Sequence, residues 1–423
     1  MLTGFSGRES VGHFLKLFTG SLIAQGVTLL LSPLFAKLFT PDEFGLTALY
    51  LAIFSILSVI GTARYEQAIM LTNNDHDARS LFWLVQILSL VFAAVVSLVL
   101  LLAGGYIVSI MGNYALRTWL WVIPLSLVLH GVSQGCLFYS NRNKHFGFMA
   151  ENTQVHYTTL NGARLLTGFL QSPFNGLLAS QIFAQVAGAV HIFWRTGRKL
   201  LNLADISPEA LIRQAKRYSG YPRYNMLLNL TNNLSGALPV IMFTRGFSAE
   251  VAGLFAFGYG FIFKPLSLFS QSLHQVLSQK IIEDHNKNKP VYPILKKLLI
   301  RQFWIGIGPF AILATFAPAL FLLVFPPEYS KAGNFVQILS PWLFMVFLTS
   351  PLSFLPELFS RQRRAMVIDL VYLLLRFSAL AAGILAQNIT LSLGLFTAVS
   401  FVMVSYNLLW YMQLAQRQQN KTG

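Results

Sequence analysis

The feature that most constrains this chain is a succession of long apolar stretches that recurs along almost its whole length. A helix of about 17 to 25 apolar residues crosses a ~30 Å hydrocarbon core. Twelve such candidates run approximately 11–38, 45–71, 80–106, 115–140, 147–170, 175–194, 225–246, 250–277, 294–325, 333–358, 365–386 and 389–414. A membrane β-barrel would instead alternate apolar and polar residues over segments of about ten. Runs such as Leu98-Val99-Leu100-Leu101-Leu102-Ala103 do not alternate. With 55% hydrophobic and only 11% charged residues, the chain cannot hide its apolar surface in one aqueous fold, since roughly a quarter of a soluble domain is charged. The expectation is an all-α polytopic membrane protein with about twelve transmembrane helices.

Loop charge then predicts orientation, because cytoplasmic loops hold the excess of Lys and Arg. With the N-terminus cytoplasmic, 22 of the 31 basic residues fall on the cytoplasmic side, among them the seven from Arg195 to Arg223. Only Lys37, Arg117, Arg245 and Lys331 fall on the other side, and five lie inside spans. Both termini are therefore expected to be cytoplasmic, and no cleavable signal peptide is evident, as in an inserted bacterial membrane protein. Topology accounts for the bulk of the +16 net charge, so the charge does not point to nucleic acid; a basic face attracts anionic lipid headgroups instead. The single cysteine, Cys136, offers neither a disulfide framework nor a thiolate metal cluster. P-loop, GxSxG, HExxH and paired CxxC patterns are absent, which argues against an ATP motor, hydrolysis or zinc chemistry. No cofactor is expected.

The longest loop divides the chain into a lobe at 1–194, a linker at 195–224 and a second lobe at 225–423. In the linker, Ser207 is placed to cap a helix beginning at Pro208, with Leu211, Ile212 and Ala215 set among Arg213, Lys216 and Arg217. This pattern fits an amphipathic helix on the membrane surface and a solvated connector equally well. A shift of 208 residues places Phe39-Thr40-Pro41-Asp42-Glu43-Phe44-Gly45-Leu46 on Phe247-Ser248-Ala249-Glu250-Val251-Ala252-Gly253-Leu254. The same shift pairs Lys37 with Arg245, Ser21 with Asn229, Gln25 with Asn233, and Glu66-Gln67 with His274-Gln275. The expectation is a duplication of six-helix lobes related by a pseudo-two-fold axis along the membrane normal.

Ionisable groups inside a bilayer cost about 2.5 to 3.5 kcal/mol each on insertion scales and mark interior or wet positions. The basic ones are Lys16, Arg64, Arg164, Lys264 and Arg376; the acidic ones are Glu66, Glu151, Glu357 and Asp369. Arg376 and Lys264 lie near the expected midplane, whereas Lys16 can equally well snorkel to headgroups. Lys264 precedes Pro265, which can kink its helix. Ser21, Gln25, Thr28 and Ser32 form a polar stripe, and Asn225, Asn229 and Asn232 or Asn233 form another. Such stripes line cavities or make interhelical hydrogen bonds. His130 and His156, isolated in apolar surroundings, fit packed histidines better than metal ligands.

Gly61-Thr62-Ala63-Arg64-Tyr65-Glu66-Gln67-Ala68-Ile69, with the Phe39-to-Leu46 turn, resembles the N-terminal signature of bacterial polysaccharide exporters. These are the Wzx-like lipid-linked oligosaccharide flippases of the multidrug/oligosaccharidyl-lipid/polysaccharide superfamily. Tyr221-Pro222-Arg223-Tyr224, Asn232, Leu238-Pro239 and Pro265-Leu266-Ser267-Leu268 resemble the start of the family's second lobe, and the Asn141-Arg142-Asn143-Lys144 loop is similar too. Lys264 and Arg376 match no motif of the family.

The resemblance implies two six-helix lobes around a cationic cavity, alternating access, and no enzymatic step. The implied cargo is an undecaprenyl-pyrophosphate-linked oligosaccharide moved from the cytoplasmic to the periplasmic leaflet. Implied partners are membrane lipids, a polysaccharide polymerase and a chain-length regulator. Arg64, Arg164, Lys264 and Arg376 are then candidate pyrophosphate contacts, and Lys16 is a further substrate-binding candidate. Ser21, Gln25, Asn229 and Asn233 are candidate sugar contacts, and Glu66 and Asp369 candidate ion-coupling acids. Fixed cationic donors replace part of the hydration that a pyrophosphate loses in the membrane. The alternatives are a multidrug or small-cation exporter, which would favour an acidic cavity, a membrane glycan polymerase or ligase, and a scaffold in an assembly complex. Short non-cytoplasmic loops, such as 38–45 and 326–332, leave a polymerase little aqueous catalytic surface.

Overall fold

Inside hydrocarbon a backbone must satisfy its own N–H and C=O groups, which helices do segment by segment. The computed structural model describes residues 24–197, 200–201, 207–287 and 289–422, and helices dominate it. The chain forms two compact units, Met1–Glu250 and Val251–Gly423. The first contains α1 (Ser32–Leu38), α2 (Pro41–Thr62), α3 (Asp75–Met111), α4 (Ile123–Arg142), α5 (Phe146–Phe169), α6 (Gly176–Thr196), α7 (Pro208–Arg217) and α8 (Met226–Gly246). The second contains most of α9 (Ala249–Asn286), then α10 (Tyr292–Val324), α11 (Ser330–Thr349), α12 (Gln362–Leu385) and α13 (Ile389–Thr422).

Among the described residues, ten helical segments are long and apolar enough to cross a membrane. Of the twelve expected, 147–170 corresponds to α5, whose 24 residues suffice in length. It falls short in apolarity because it carries Glu151, Asn152, Gln154, His156, Asn161 and Arg164. Several of these are used within the unit: Asn161 Nδ2 donates to Thr28 Oγ1 at 3.0 Å, and His156 Nδ1 lies 3.1 Å from the Ala184 carbonyl. The described residues enter the expected first span at Ala24, and 11–23 lies outside them. Elsewhere helices overrun the expected spans. The 37 residues of α3 extend about 55 Å, more than a hydrocarbon core requires.

Exposed apolar side chains lie where lipid would meet them. Leu90, Leu101 and Leu102 on α3, Trp304 and Leu323 on α10 and Leu385 on α12 are all more than half exposed, a surface that water would penalise.

The packing repeats. α3 pairs with α4, α5 with α6 and α4 with α6 in the first unit; α10 pairs with α11, α12 with α13 and α11 with α13 in the second. The 208-residue shift carries Ile123–Arg142 almost onto Ser330–Thr349. Close helix approach relies on small residues. A Cβ at Gly131 would lie 2.4 Å from Ser89 Oγ, one at Gly135 2.7 Å from Phe82, and one at Gly383 2.2 Å from Ser392 Cα.

Two local features position the site. Thr40 and Glu43 form a reciprocal capping box with Pro41 at the first turn, so α2 starts sharply. It stops equally sharply. Ala63 (φ 48°) and Arg64 (φ 61°) are consecutive left-handed residues, followed by a 3-10 helix at Tyr65–Leu71. Span two is therefore not one helix over 45–71, and Arg64 sits at an elbow. The helix after Ser207 does form, with Ser207 Oγ accepting from Ala210 N at 3.1 Å. It docks rather than floats: Gln214, 1% exposed, bonds Asp77 on α3, and Tyr65 donates its hydroxyl to the Ala215 carbonyl at 3.0 Å.

Candidate functional site

The α2 elbow, the 3-10 turn and α8 bring together three of the side chains singled out in the sequence. Arg64 Nη1 lies 3.3 Å from Glu66 Oε1, and Arg64 Nη2 donates to Asn229 Oδ1 at 2.6 Å. The left-handed backbone at residues 63 and 64 turns the chain so that Arg64 and Glu66, two residues apart, form this pair. Such φ values are uncommon for non-glycine residues. Thr62 Oγ1 supports the turn by accepting from Arg64 N at 3.3 Å.

Burial is unequal across the pair. The Glu66 side chain is 0% exposed and Arg64 19%. Glu66 Oε2 and Arg64 Nε are both buried without a hydrogen-bond partner among the described residues, so the node holds one unspent acceptor and one unspent donor. α8 supplies the other wall: Asn225 Nδ2 donates to Gln67 Oε1 at 3.3 Å, and the side chains of Asn229 and Asn233 each donate at 2.8 Å to the carbonyl four residues earlier. Asn229 and Asn233 are thus tied to their own helix, and Asn229 turns its oxygen to Arg64.

Arg164 occupies a second polar seam in the same unit, on α5. Its guanidinium lies 5.4 Å from the centre of the Phe35 ring, and its Nε is also buried without a partner among the described residues. One turn away Asn161 bonds Thr28, four residues before Ser32; Gln25 is half-buried near the start of that stretch. Lys16 and Ser21 lie outside the described residues.

The second unit holds Lys264, Asp369 and Arg376. Arg376 is 7% exposed, donates from Nε to Ser400 Oγ at 3.1 Å, and sits within a cage of Tyr372, Phe396 and Trp342 with ring centres 4.2, 4.7 and 4.9 Å away. Cation–π attraction of this kind can be worth ~2 kcal/mol when desolvated. Its environment is aromatic rather than an open polar cavity. Lys264 is exposed on α9, where Pro265 follows within an unbroken helix, and Asp369 is half-buried on α12.

Sequence reasoning missed two features. The elbow has no glycine or proline to announce it. A cavity of about 660 Å³ at the opposite end of α2 is lined by Asp42, Glu43 and the connections 112–119 and 172–175. Those segments are brief and unlike any motif. No cluster of His, Cys, Asp and Glu suited to a metal occurs among the described residues.

This fold is shared with transporters of known structure. An inward-facing multidrug-resistance transporter of the MATE family, in the MOP superfamily, superposes with a TM-score of 0.72 at 12% identity, covering 96% of each chain. The lipid II flippase MurJ in an inward closed conformation gives 0.73 at 12% identity, covering 97% of this chain and 90% of that one. A mutant of the Vibrio cholerae MATE transporter VcmN gives 0.60 at 16% identity over 97% of both. No curated protein matches the sequence. The model of the family described as "Polysaccharide biosynthesis protein" matches residues 34–332, from the first described helices through the elbow, the asparagine ladder and the start of α11, and the chain belongs to that family.

Proposed function

We propose that the protein is a flippase that carries undecaprenyl-pyrophosphate-linked oligosaccharide repeat units from the cytoplasmic to the periplasmic leaflet by alternating access, supplying surface polysaccharide synthesis. The observation that carries this reading is the Arg64 node. A partly exposed guanidinium, held by Glu66 and Asn229 within an apolar helical unit, keeps a buried Nε–H unspent. Such a donor suits an oxyanion that sheds water on entering the membrane. Arg164 has the same unspent Nε–H, and polysaccharide biosynthesis is the family's own description.

In this reading Arg64 and Arg164 hold the pyrophosphate, with Lys16, Lys264 and Arg376 as further cationic contacts. Asn229, Asn233, Gln25 and Ser21 bond sugar hydroxyls. Glu66, already buried against Arg64, releases its partner when pyrophosphate takes the guanidinium, and so is placed to accept a proton or cation; Asp369 is a second candidate acid, on α12. The reading includes twelve spans, two six-helix lobes at 1–194 and 225–423 joined by the 195–224 linker, and cytoplasmic termini.

The test is accumulation of a lipid-linked repeat on the cytoplasmic leaflet. Deletion should cause it, and Arg64→Ala with Arg164→Ala should reproduce it at normal protein levels. Normal export in that double variant would remove the proposed pyrophosphate site. Normal export in Lys264→Ala and Arg376→Ala would remove the second unit's cations from it.

A further inference from the structure

The cavity of about 660 Å³ at the start of α2 is built, not incidental. α3 ends at Gly112 (φ 69°), a left-handed residue that lets 113–119 fold back over the helix ends. Asn113 Oδ1 then accepts from Ala115 N at 3.0 Å, a short turn that leaves Tyr114 77% exposed. From the other side Asn175 caps α6 by accepting from Leu178 N at 2.9 Å and donates to the Glu43 carbonyl at 2.9 Å. This pins 172–175 to α2 and leaves Phe174 51% exposed. The two carboxylates differ in availability. Glu43 is committed to the capping box, accepting from Thr40 N at 2.9 Å, whereas Asp42 is exposed with no hydrogen-bond or ion-pair partner among the described residues. Ser172 Oγ, on the lining, is buried with no hydrogen-bond partner among the described residues.

Three rings, Tyr114, Trp119 and Phe174, thus share a cavity with the short polar side chains Asn113 and Thr118 and one free carboxylate. A pyranose has the matching chemistry: an apolar C–H face that packs on an aromatic ring, and a rim of hydroxyls that exchange hydrogen bonds with carboxylate, amide and hydroxyl groups. The volume falls within the ~300–1,000 Å³ typical of small-molecule sites.

We propose that this cavity is a subsite for neutral sugar residues, engaging the glycan at the membrane face opposite the basic loops. The inference rests on the flippase reading and adds to it a position and a specificity. Asp42 and Glu43 both lie on the cavity's lining and outnumber Arg245, whose side chain lies against the lining Gly112, so the site disfavours uronic acids. The pyrophosphate end has its own arginines, about 33 Å away along the 22 residues of α2, so the two sites divide the cargo by charge.

The test uses the purified full-length protein in nanodiscs, titrated separately with chitotriose, trigalacturonate and tetraphenylphosphonium while tryptophan fluorescence is followed. Chitotriose should give a saturable change that Trp119→Phe abolishes. Tyr114→Ala and Phe174→Ala should each weaken binding about five- to tenfold. Trigalacturonate should bind about tenfold more weakly than chitotriose, and Asp42→Asn should largely close that gap. Tyr114 is so exposed that its substitution leaves folding intact even where Trp119→Phe does not. The proposal is overturned by no saturable chitotriose signal, by binding indifferent to Tyr114→Ala and Phe174→Ala, or by tighter binding of tetraphenylphosphonium. Failed sugar binding alongside intact export overturns this subsite alone; intact sugar binding without any lipid-linked export overturns the flippase reading alone.

Discussion

Removing the Arg64 guanidinium tests whether Glu66 is held as a charged partner. At 3.3 Å and an effective dielectric of about 20, the gross attraction is about 5 kcal/mol. Desolvating the two charges offsets much of that, so the pair adds little net stability. Losing one partner is different, because it strands a carboxylate that is 0% exposed and already has one unsatisfied oxygen. The usual cost of breaking a buried pair is about 3–5 kcal/mol. Arg64 is 19% exposed and its contact is longer than a short charge-assisted bond, which places Arg64→Ala near 3 kcal/mol, about the lower end of that range. Glu66→Gln removes the charge but keeps the shape, and should cost about 1 kcal/mol. The double variant Arg64→Ala/Glu66→Gln leaves no stranded charge and should recover about 2 kcal/mol relative to the sum of the single variants. Equilibrium unfolding in mixed micelles, followed by intrinsic fluorescence, measures all three. A coupling below about 0.5 kcal/mol, the ordinary additivity error, would refute the reasoning.

Three further predictions follow from contacts elsewhere. Gly383→Ala forces a Cβ to 2.2 Å from Ser392 Cα and should destabilise by about 1–3 kcal/mol; Gly394→Ala, with nothing within 4 Å, should instead be neutral or stabilising by about 0.5–1 kcal/mol, both read as melting shifts. Arg376→Ala empties an aromatic cage and should lose about 3 kcal/mol, with Arg376→Lys losing less; unchanged melting in Arg376→Ala would mean that the cage contributes nothing. Cys136 is buried, so the native chain should resist a membrane-impermeant maleimide. In whole cells Tyr114→Cys should label, and Arg213→Cys should label only after permeabilisation; the reverse pattern would invert the orientation drawn from loop charge.

The apolar stretches were legible because burial in hydrocarbon acts on every residue of a span at once, and one polar substitution does not erase the signal. α5 is the exception that locates its limit: Asn161 bonds Thr28 and His156 approaches Ala184 O, so polarity that looks unfavourable in sequence is satisfied between helices. Ser207 and Pro208 marked a helix start correctly because capping is local chemistry. The arginines were visible as residues, but their settings were not. Nothing local to Arg376 shows that Trp342 and Phe396, from two other helices, would close around it. The cavity at the start of α2 is assembled from four short stretches, 42–46, 112–119, 172–175 and Ala249, and no periodicity exists on that scale.

The elbow also makes the two units unlike at positions that the 208-residue shift pairs. The 208-residue shift carries Ala63 and Arg64 onto Gln271 and Ser272, which lie within the unbroken 38-residue helix α9. Glu66 and Gln67 map onto His274 and Gln275, also in that helix, where His274 stacks edge-on against Phe354 with ring centres 5.4 Å apart. One half thus spends two left-handed residues, each sterically unfavourable without glycine, on bending the chain; its counterpart does not. Backbone strain persists where surrounding contacts over-determine it. Here those contacts are Thr62 Oγ1 on the Arg64 amide, Asn229 on its guanidinium and Glu66 beside it. Releasing them should let α2 continue past Thr62 as α9 does past Gln271. An Arg64→Ala/Glu66→Ala/Asn229→Ala variant should therefore gain amide-exchange protection across 63–67, and continued rapid exchange there would show that the elbow is held by something other than the polar node.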